Sequence, residues 1–343
     1  MKYLQKLWVP ALLLCMAATQ SKAQNLYHRI DSAANMVQAI SFNRDGALFA
    51  VITEHNGTEA TKSTLTIYSA STEKKISEIS FDTYISWAKF SPDNTRLFVG
   101  DADVLRLGGG GAGSTFYMLD ISNPGSINIV DKQILGNRIT AFDYHKNGQY
   151  YAMGFNDGMV ALFDANTNGI VFKAQHDNNI KAVKFLYNGM LAVHEQYKPE
   201  VYLYSIKDKI LFSRIPSANK YNLLHMKDAP EAAKVLFCFG YQAYMYQVTN
   251  MKPGKDIKAQ YDLEISPNGE MIIVLDKDRL KVYNADMESG SNGTIKYKRI
   301  PDEKYYYHFE NLQIGNGTKV VFNIEHNIYC GDYSAFLALA GKK

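Results

Sequence analysis

Two kinds of apolar run alternate along this chain. The first is short and continuous: Leu48 to Ile52, Leu97 to Val99, Tyr150 to Met153, Met190 to Val193, Val235 to Phe239, Met271 to Leu275 and Val320 to Ile324. Continuous apolarity over so few residues suits a strand buried on both faces. The second kind alternates apolar with polar positions and ends in an aromatic and a polar residue. Its endings are Tyr68-Ser69, Phe163-Asp164, Tyr204-Ser205, Tyr246-Gln247 and Tyr283-Asn284, and Leu119-Asp120 is a copy without the aromatic. A period of two predicts a strand with one packed face. More polar runs follow, such as Glu73 to Ser80, Ile127 to Ile134, Ile170 to Gln175 and Thr294 to Ile300. No helical period is visible beyond the first 23 residues.

Each continuous run is preceded by a recurring phrase. It reads Phe42-Asn43-Arg44-Asp45-Gly46, Phe90-Ser91-Pro92-Asp93-Asn94, Tyr144-His145-Lys146-Asn147-Gly148, Phe185-Leu186-Tyr187-Asn188-Gly189 and Ile265-Ser266-Pro267-Asn268-Gly269. A worn copy is Ile314-Gly315-Asn316-Gly317, and the fifth unit has lost its glycine and reads Met226-Lys227-Asp228-Ala229-Pro230. Asn-Gly and Asp-Gly tolerate positive φ, so the phrase marks a tight turn between two antiparallel strands. Four short strands recurring at roughly 40 to 50 residues are the mark of propeller blades. Seven units begin near Val37, Ser86, Ile139, Ile180, Asn222, Tyr261 and His308. The seventh runs out after its third strand, near Asn327 to Tyr333. A ring must close because open edges invite aggregation, and Leu26 to Ile30 is a spare strand-like piece. The expected fold is therefore all-β, a seven-bladed β-propeller of four-stranded antiparallel blades, with the N-terminal strand closing the last blade.

Residues 1–23 read as an export signal, with Lys2 and Lys6, an apolar run from Trp8 to Ala18, and Ser21-Lys22-Ala23 as the cleavage site. Residues 24–343 then form one propeller domain, periplasmic or extracellular, with no segment long enough to span a bilayer as a helix. Cleavage after Ala23 removes Lys2, Lys6 and Lys22 from the 37 basic residues and leaves 34, equal to the 34 acidic ones. Zero net charge argues against nucleic acid, which demands a basic excess. Cys238 and Cys330 lie in apolar runs. A disulfide is open to an exported chain, and the apolar setting favours buried free thiols.

The chain resembles a WD-repeat propeller. His176 to Phe185 is similar to that family's Gly-His entry and first strand, and Asp157 to Asp164 to its turn and third strand, with Phe163-Asp164 in place of Trp-Asp. The resemblance extends in degenerate form over about residues 25 to 335 and is that of divergent exported bacterial propellers. It implies a protein-binding platform. The family's structural network joins an entry His to an Asp in the turn between the second and third strands of the same blade. Here His176 faces a turn, Glu195 to Glu200, without a matching Asp, so the network reads as broken.

Spacing from the phrase to the third-strand ending is 15 residues in units three and four (148 to 163, 189 to 204) but 22 in unit one (46 to 68) and 25 in unit two (94 to 119). The additions, Glu54 to Ser63 and Asp101 to Ser114, fall between second and third strands and stand side by side. Loops on a rigid scaffold concentrate binding residues. Candidate binding residues are Arg106 on the second loop, His176, and the connection aromatics Tyr84, Trp87, Tyr221 and Tyr305. Gly108 to Gly113 precedes a strand rather than a helix, so it reads as a flap, not a phosphate cradle. The eight histidines are scattered without ligand spacing, and no nucleophile elbow occurs. No catalytic residue, cofactor or metal site is assigned. The function that follows is an exported, non-catalytic, monomeric binding scaffold for a protein or cell-envelope glycan or protein. The alternative is a hydrolase or lyase acting on a sugar or lactone at the mouth of the central channel.

Overall fold

A computed structural model describes residues 26–33, 35–55, 61–101, 114–217, 219–229, 231–259, 262–276, 279–285, 293–296, 309–324 and 326–340. It contains seven four-stranded antiparallel sheets arranged as the blades of a propeller. We letter the strands of each blade a to d, from the axis outward. The inner strands a are Met36–Phe42, Trp87–Phe90, Ile139–Tyr144, Ile180–Phe185, Leu223–Ala229, Asp262–Ile265 and Phe309–Ile314. Blades one to six are sequential. Blade seven has the order His28–Ser32, Asn327–Asp332, Lys319–Ile324, Phe309–Ile314, so the N-terminal strand is its strand d. This is the expected closure, two residues further along the chain than the apolar pattern suggested. The leader segment lies outside the described residues.

The continuous apolar runs are the b strands, and they are buried on both faces: Phe49 to Ile52, Leu97 to Val99, Val235 to Phe239 and Val320 to Phe322. Their side chains pack between neighbouring blades. Leu236 and Cys238 of blade five, for example, share a cluster with Leu263, Ile272 and Val274 of blade six. Truncating one of the large buried rings, such as Phe237 or Phe322, costs about 3–5 kcal/mol in such settings. Cys238 and Cys330 are free and buried, and burial pushes both thiols up to about 12.

The recurring phrase forms the a–b turns. In blade one the Gly46 N–H donates to the Asn43 carbonyl at 3.1 Å, and Gly46 has φ of 70°. A Cβ there would also lie 2.6 Å from Thr318 Oγ1, whose hydroxyl donates to the Gly46 carbonyl. The glycine thus serves both the turn and the close approach of blades one and seven. The fifth copy sits two residues later than its sequence suggests. Asp228 pairs with Val235 as Phe42 pairs with Phe49, and the Ala232 N–H donates to the Ala229 carbonyl as Gly46 does to Asn43. Strand a of blade five therefore runs on through Lys227 and Asp228.

Polar contacts reinforce the closure. Glu73, in the c–d turn of blade one, accepts from Lys319 of blade seven at 2.5 Å and lies 2.6 Å from His28 of the closing strand. Tyr68 donates to Asp31 at 2.5 Å. An eight-residue helix, Tyr333–Ala340, follows the last strand and was not expected. Its sequence is apolar nearly all round, so no one-sided period reveals it. Phe336 is fully buried, and Tyr333 donates to Asn268 at 3.0 Å, which docks the helix on blades six and seven. Among the described residues no helix is long and apolar enough to cross a membrane.

Candidate functional site

The inner strands carry a ring of polar side chains, one per blade, each just before the turn phrase. In blade order they are Ser41, Lys89, Asp143, Lys184, Lys227, Glu264 and Gln313. All seven occupy the same register, opposite Ala50, Phe98, Ala152, Ala192, Leu236, Ile273 and Val321 of their b strands. Lys89 Nζ lies 3.0 Å from Asp143 Oδ1. Asp143 Oδ2 accepts the backbone N–H of Phe185 in the next blade at 2.9 Å. Lys184 reaches Asp143 at 3.5 Å and Asp228 at 2.7 Å. Lys227 reaches Glu264 at 2.9 Å, and Gln313 donates to Glu264 at 3.2 Å. His225 and Lys227 both approach Asp262, at 3.5 and 3.9 Å. Each charge in this belt has a partner of opposite sign.

The electrostatics follow from that pairing. Burial alone would raise the Asp143 carboxyl, but Lys184, Lys89 and the Phe185 N–H outweigh it and hold it below its ordinary value. Burial opposes charge on Lys184 as well, and Asp143 and Asp228 overcome it, so the ammonium is held more firmly than usual. Burial pushes the Glu264 carboxyl upward, and Lys227 offsets only part of that. Among the described residues no three His, Cys, Asp or Glu side chains gather as a metal site would require.

The upper face of the ring bears the b–c turns and the d–a connections. Over blades four and five it exposes large side chains: Tyr197 at 70%, Tyr241 at 65%, Tyr221 at 62% and Leu224 at 53%. Tyr197 and Tyr241 occupy b–c turns, and Tyr221 the connection between the two blades. Leu224 is the extra residue of a β-bulge between Leu223 and His225, the device that turns its side chain outward. Tyr197 holds φ of 67°, which is uncommon for an aromatic residue and costs about 1 kcal/mol or more.

The residues picked out by sequence distribute differently. Tyr221 is on this exposed rim. Tyr84 is half-buried, with Lys62 Nζ 5.5 Å from its ring centre. Trp87 begins strand a of blade two and stacks on Phe142 of blade three at 4.8 Å and 17°. Gly100 leaves it room, since a Cβ there would meet the indole at 2.4 Å. Trp87 is thus packed between blades, and its Nε1 is buried without a hydrogen-bond partner among the described residues. Arg106, Tyr305 and the Gly108 to Gly113 run lie outside the described residues, as does most of the loop that holds Arg106.

His176 is buried, and its network is not broken. Glu195 takes the acidic position that an Asp was expected to fill. His176 Nδ1 lies 3.4 Å from Glu195 Oε2, and Nε2 lies 3.0 Å from the Tyr204 hydroxyl. Asn178 and Tyr202 also donate to Glu195, at 2.5 and 3.3 Å. Burial lowers the His176 pKa and Glu195 only partly restores it, so the ring is neutral at pH 7. Glu195 also opens the turn that carries Tyr197. His176 therefore supports the rim from beneath instead of contacting solvent itself.

No protein-family model matches the chain, and no curated protein sequence matches it. The arrangement defines a class by its architecture alone, a seven-bladed β-propeller.

Proposed function

We propose that this chain is an exported, WD-repeat-like propeller that binds a protein or other cell-envelope component through its upper rim and does no chemistry. One observation carries the reading: Tyr197, Tyr221, Leu224 and Tyr241 stand exposed together over two adjacent blades, while the ionisable groups of the belt are spent on one another. Tyrosine is enriched at binding hot spots because it offers a broad, stiff surface with a polar tip. The test replaces Tyr197, Tyr221 and Tyr241 by Ala and recovers partners from envelope extract. Loss of a partner held by the wild-type chain is expected; identical recovery with a folded triple variant would sink the proposal. Export predicts a mature N-terminus at Gln24, read by mass spectrometry of the native protein.

A second reading, a channel enzyme for a sugar or lactone, draws on one pair. His225 and Asp262, 3.5 Å apart, are both part-exposed on inner strands. Hydrolysis of a lactone or glycoside panel that disappears in Asp262→Asn would favour it over the binding reading.

A further inference from the structure

Four of the seven blades share a tyrosine at one position of strand c; blades three and six have Ala161 and Lys281 there, and blade one lacks it too. The residue opposite the third core position of strand b is Tyr117 in blade two, Tyr202 in blade four, Tyr244 in blade five and Tyr329 in blade seven. In blade one that place, opposite Val51, is Thr66. In blade two the ring fills the space toward the preceding blade, where Tyr117 packs on Phe81 at 4.9 Å. In blade one the space is a cleft of about 350 Å³ between the strand Ser63–Ser69 and the segment that leaves the closing strand at Asp31 and Ser32. That volume is within the range of small-ligand sites, about 300–1,000 Å³.

The cleft wall is organised. The Asn35 amide donates to His55 Nδ1 at 3.1 Å, which puts the imidazole proton on Nε2, facing Thr64 Oγ1 at 2.9 Å. Thr64 in turn lies 3.3 Å from Ser80 Oγ, where the relay ends. Thr53 and Thr66 add hydroxyls beside it, and Asp31 and Glu78 add acceptors. The lining lysine, Lys75, is paired with Glu78. Hydroxyl donors and acceptors without an unpaired cation suit a neutral polyol and disfavour phosphorylated or carboxylated ligands.

We infer that this cleft is a binding site for a small neutral polyhydroxylated ligand of monosaccharide size. Phe49 already occupies a face of Tyr68, stacked at 5.0 Å, so hydrogen bonds rather than ring stacking supply the affinity. The site is distinct from the rim and goes beyond the rim reading.

The test titrates the full mature chain with glucose, galactose, mannose and N-acetylglucosamine, following backbone amide shifts. Saturable shifts at Thr53, Thr64, Thr66 and Ser80 are expected from at least one sugar. Thr66→Tyr restores the ring found in four sister blades, so it should fold and abolish those shifts. Thr64→Val keeps the shape and breaks the relay, and it should weaken them if the tyrosine variant fails to fold. Absence of shifts with all four sugars, or binding unchanged in a folded Thr66→Tyr or Thr64→Val variant, overturns the inference. The rim variants serve as a control that separates the two proposals, because they leave these shifts in place.

Discussion

The belt around the axis and the rim above blades four and five make opposite use of their side chains. The belt holds a dense cluster of charge, yet each ionisable group in it is paired with a neighbour across a blade junction. The rim over blades four and five is chemically plain, three tyrosines and a leucine, and its contact faces are open to solvent. The difference teaches that a dense cluster of ionisable groups is not in itself a site. Paired and desolvated charges contribute to register between elements and little to reactivity. An exposed aromatic group on a supported turn has contact energy still to be realised.

Asp143→Ala should break the belt most severely. It leaves Lys89 and Lys184 facing each other and removes the acceptor for the Phe185 N–H. Removing one member of a buried ionic cluster costs about 3–5 kcal/mol, readable as a fall in the denaturant midpoint. Adding Lys89→Met should recover part of the loss, since Lys89 loses its Asp143 partner while Lys184 keeps Asp228. A loss below about 1 kcal/mol would mean that the belt is solvated and its charges available, which would weaken the contrast with the rim.

Glu195→Ala links the two regions. It strips acceptors from His176, Asn178 and Tyr202. An unsatisfied buried polar group costs about 1–3 kcal/mol, so a destabilisation of about 2 kcal/mol is expected. Because Glu195 opens the turn bearing Tyr197, partner binding should weaken as well. Unchanged binding in this variant would separate the network from the rim.

The pH dependence is a gentler probe. His176 and His194 are both buried, and burial lowers both from the ordinary value of 6.5. The unfolded chain then takes up protons before the folded one does. Stability from these two groups is complete above pH 6.5 and is lost as pH falls through their depressed folded values. A stability titration should show this decline, and His176→Gln should remove its share of the slope.

The sevenfold architecture was legible because the a–b turn demands similar residues in most blades. The belt was almost legible too, since the residue before the phrase is polar in every unit. It escaped notice in blade five, where loss of the glycine disguised the turn and moved the apparent phrase by two residues, hiding Lys227. Loop length pointed to blades one and two. In blade one, pairing persists as far as Glu54 and Ser63, so residues counted as loop are partly strand, and residues 56–60 and 102–113 lie outside the described structure. The exposed tyrosines of blades four and five sit in short turns, where spacing carries no signal. Trp87 shows the converse: an aromatic at a strand start can be interior when a glycine such as Gly100 makes room across the sheet.

Tyr197→Gly offers the smallest effect and the sharpest comparison. A tyrosine at φ of 67° is strained, and glycine is at ease there. The ring is largely exposed, so little packing is lost with it. Gain from relieved strain and loss from the greater freedom of the unfolded chain nearly cancel, leaving stability unchanged or raised by up to about 1 kcal/mol. In the belt, by contrast, removal of a charged side chain leaves its partner's charge unmet. If the rim is the contact surface, Tyr197→Gly should fold as well as the wild-type chain in a thermal melt and still bind its partner more weakly. A variant that is less stable by more than about 1 kcal/mol would show that the ring is held for packing, and Tyr197 would then belong with Trp87 among the structural aromatics.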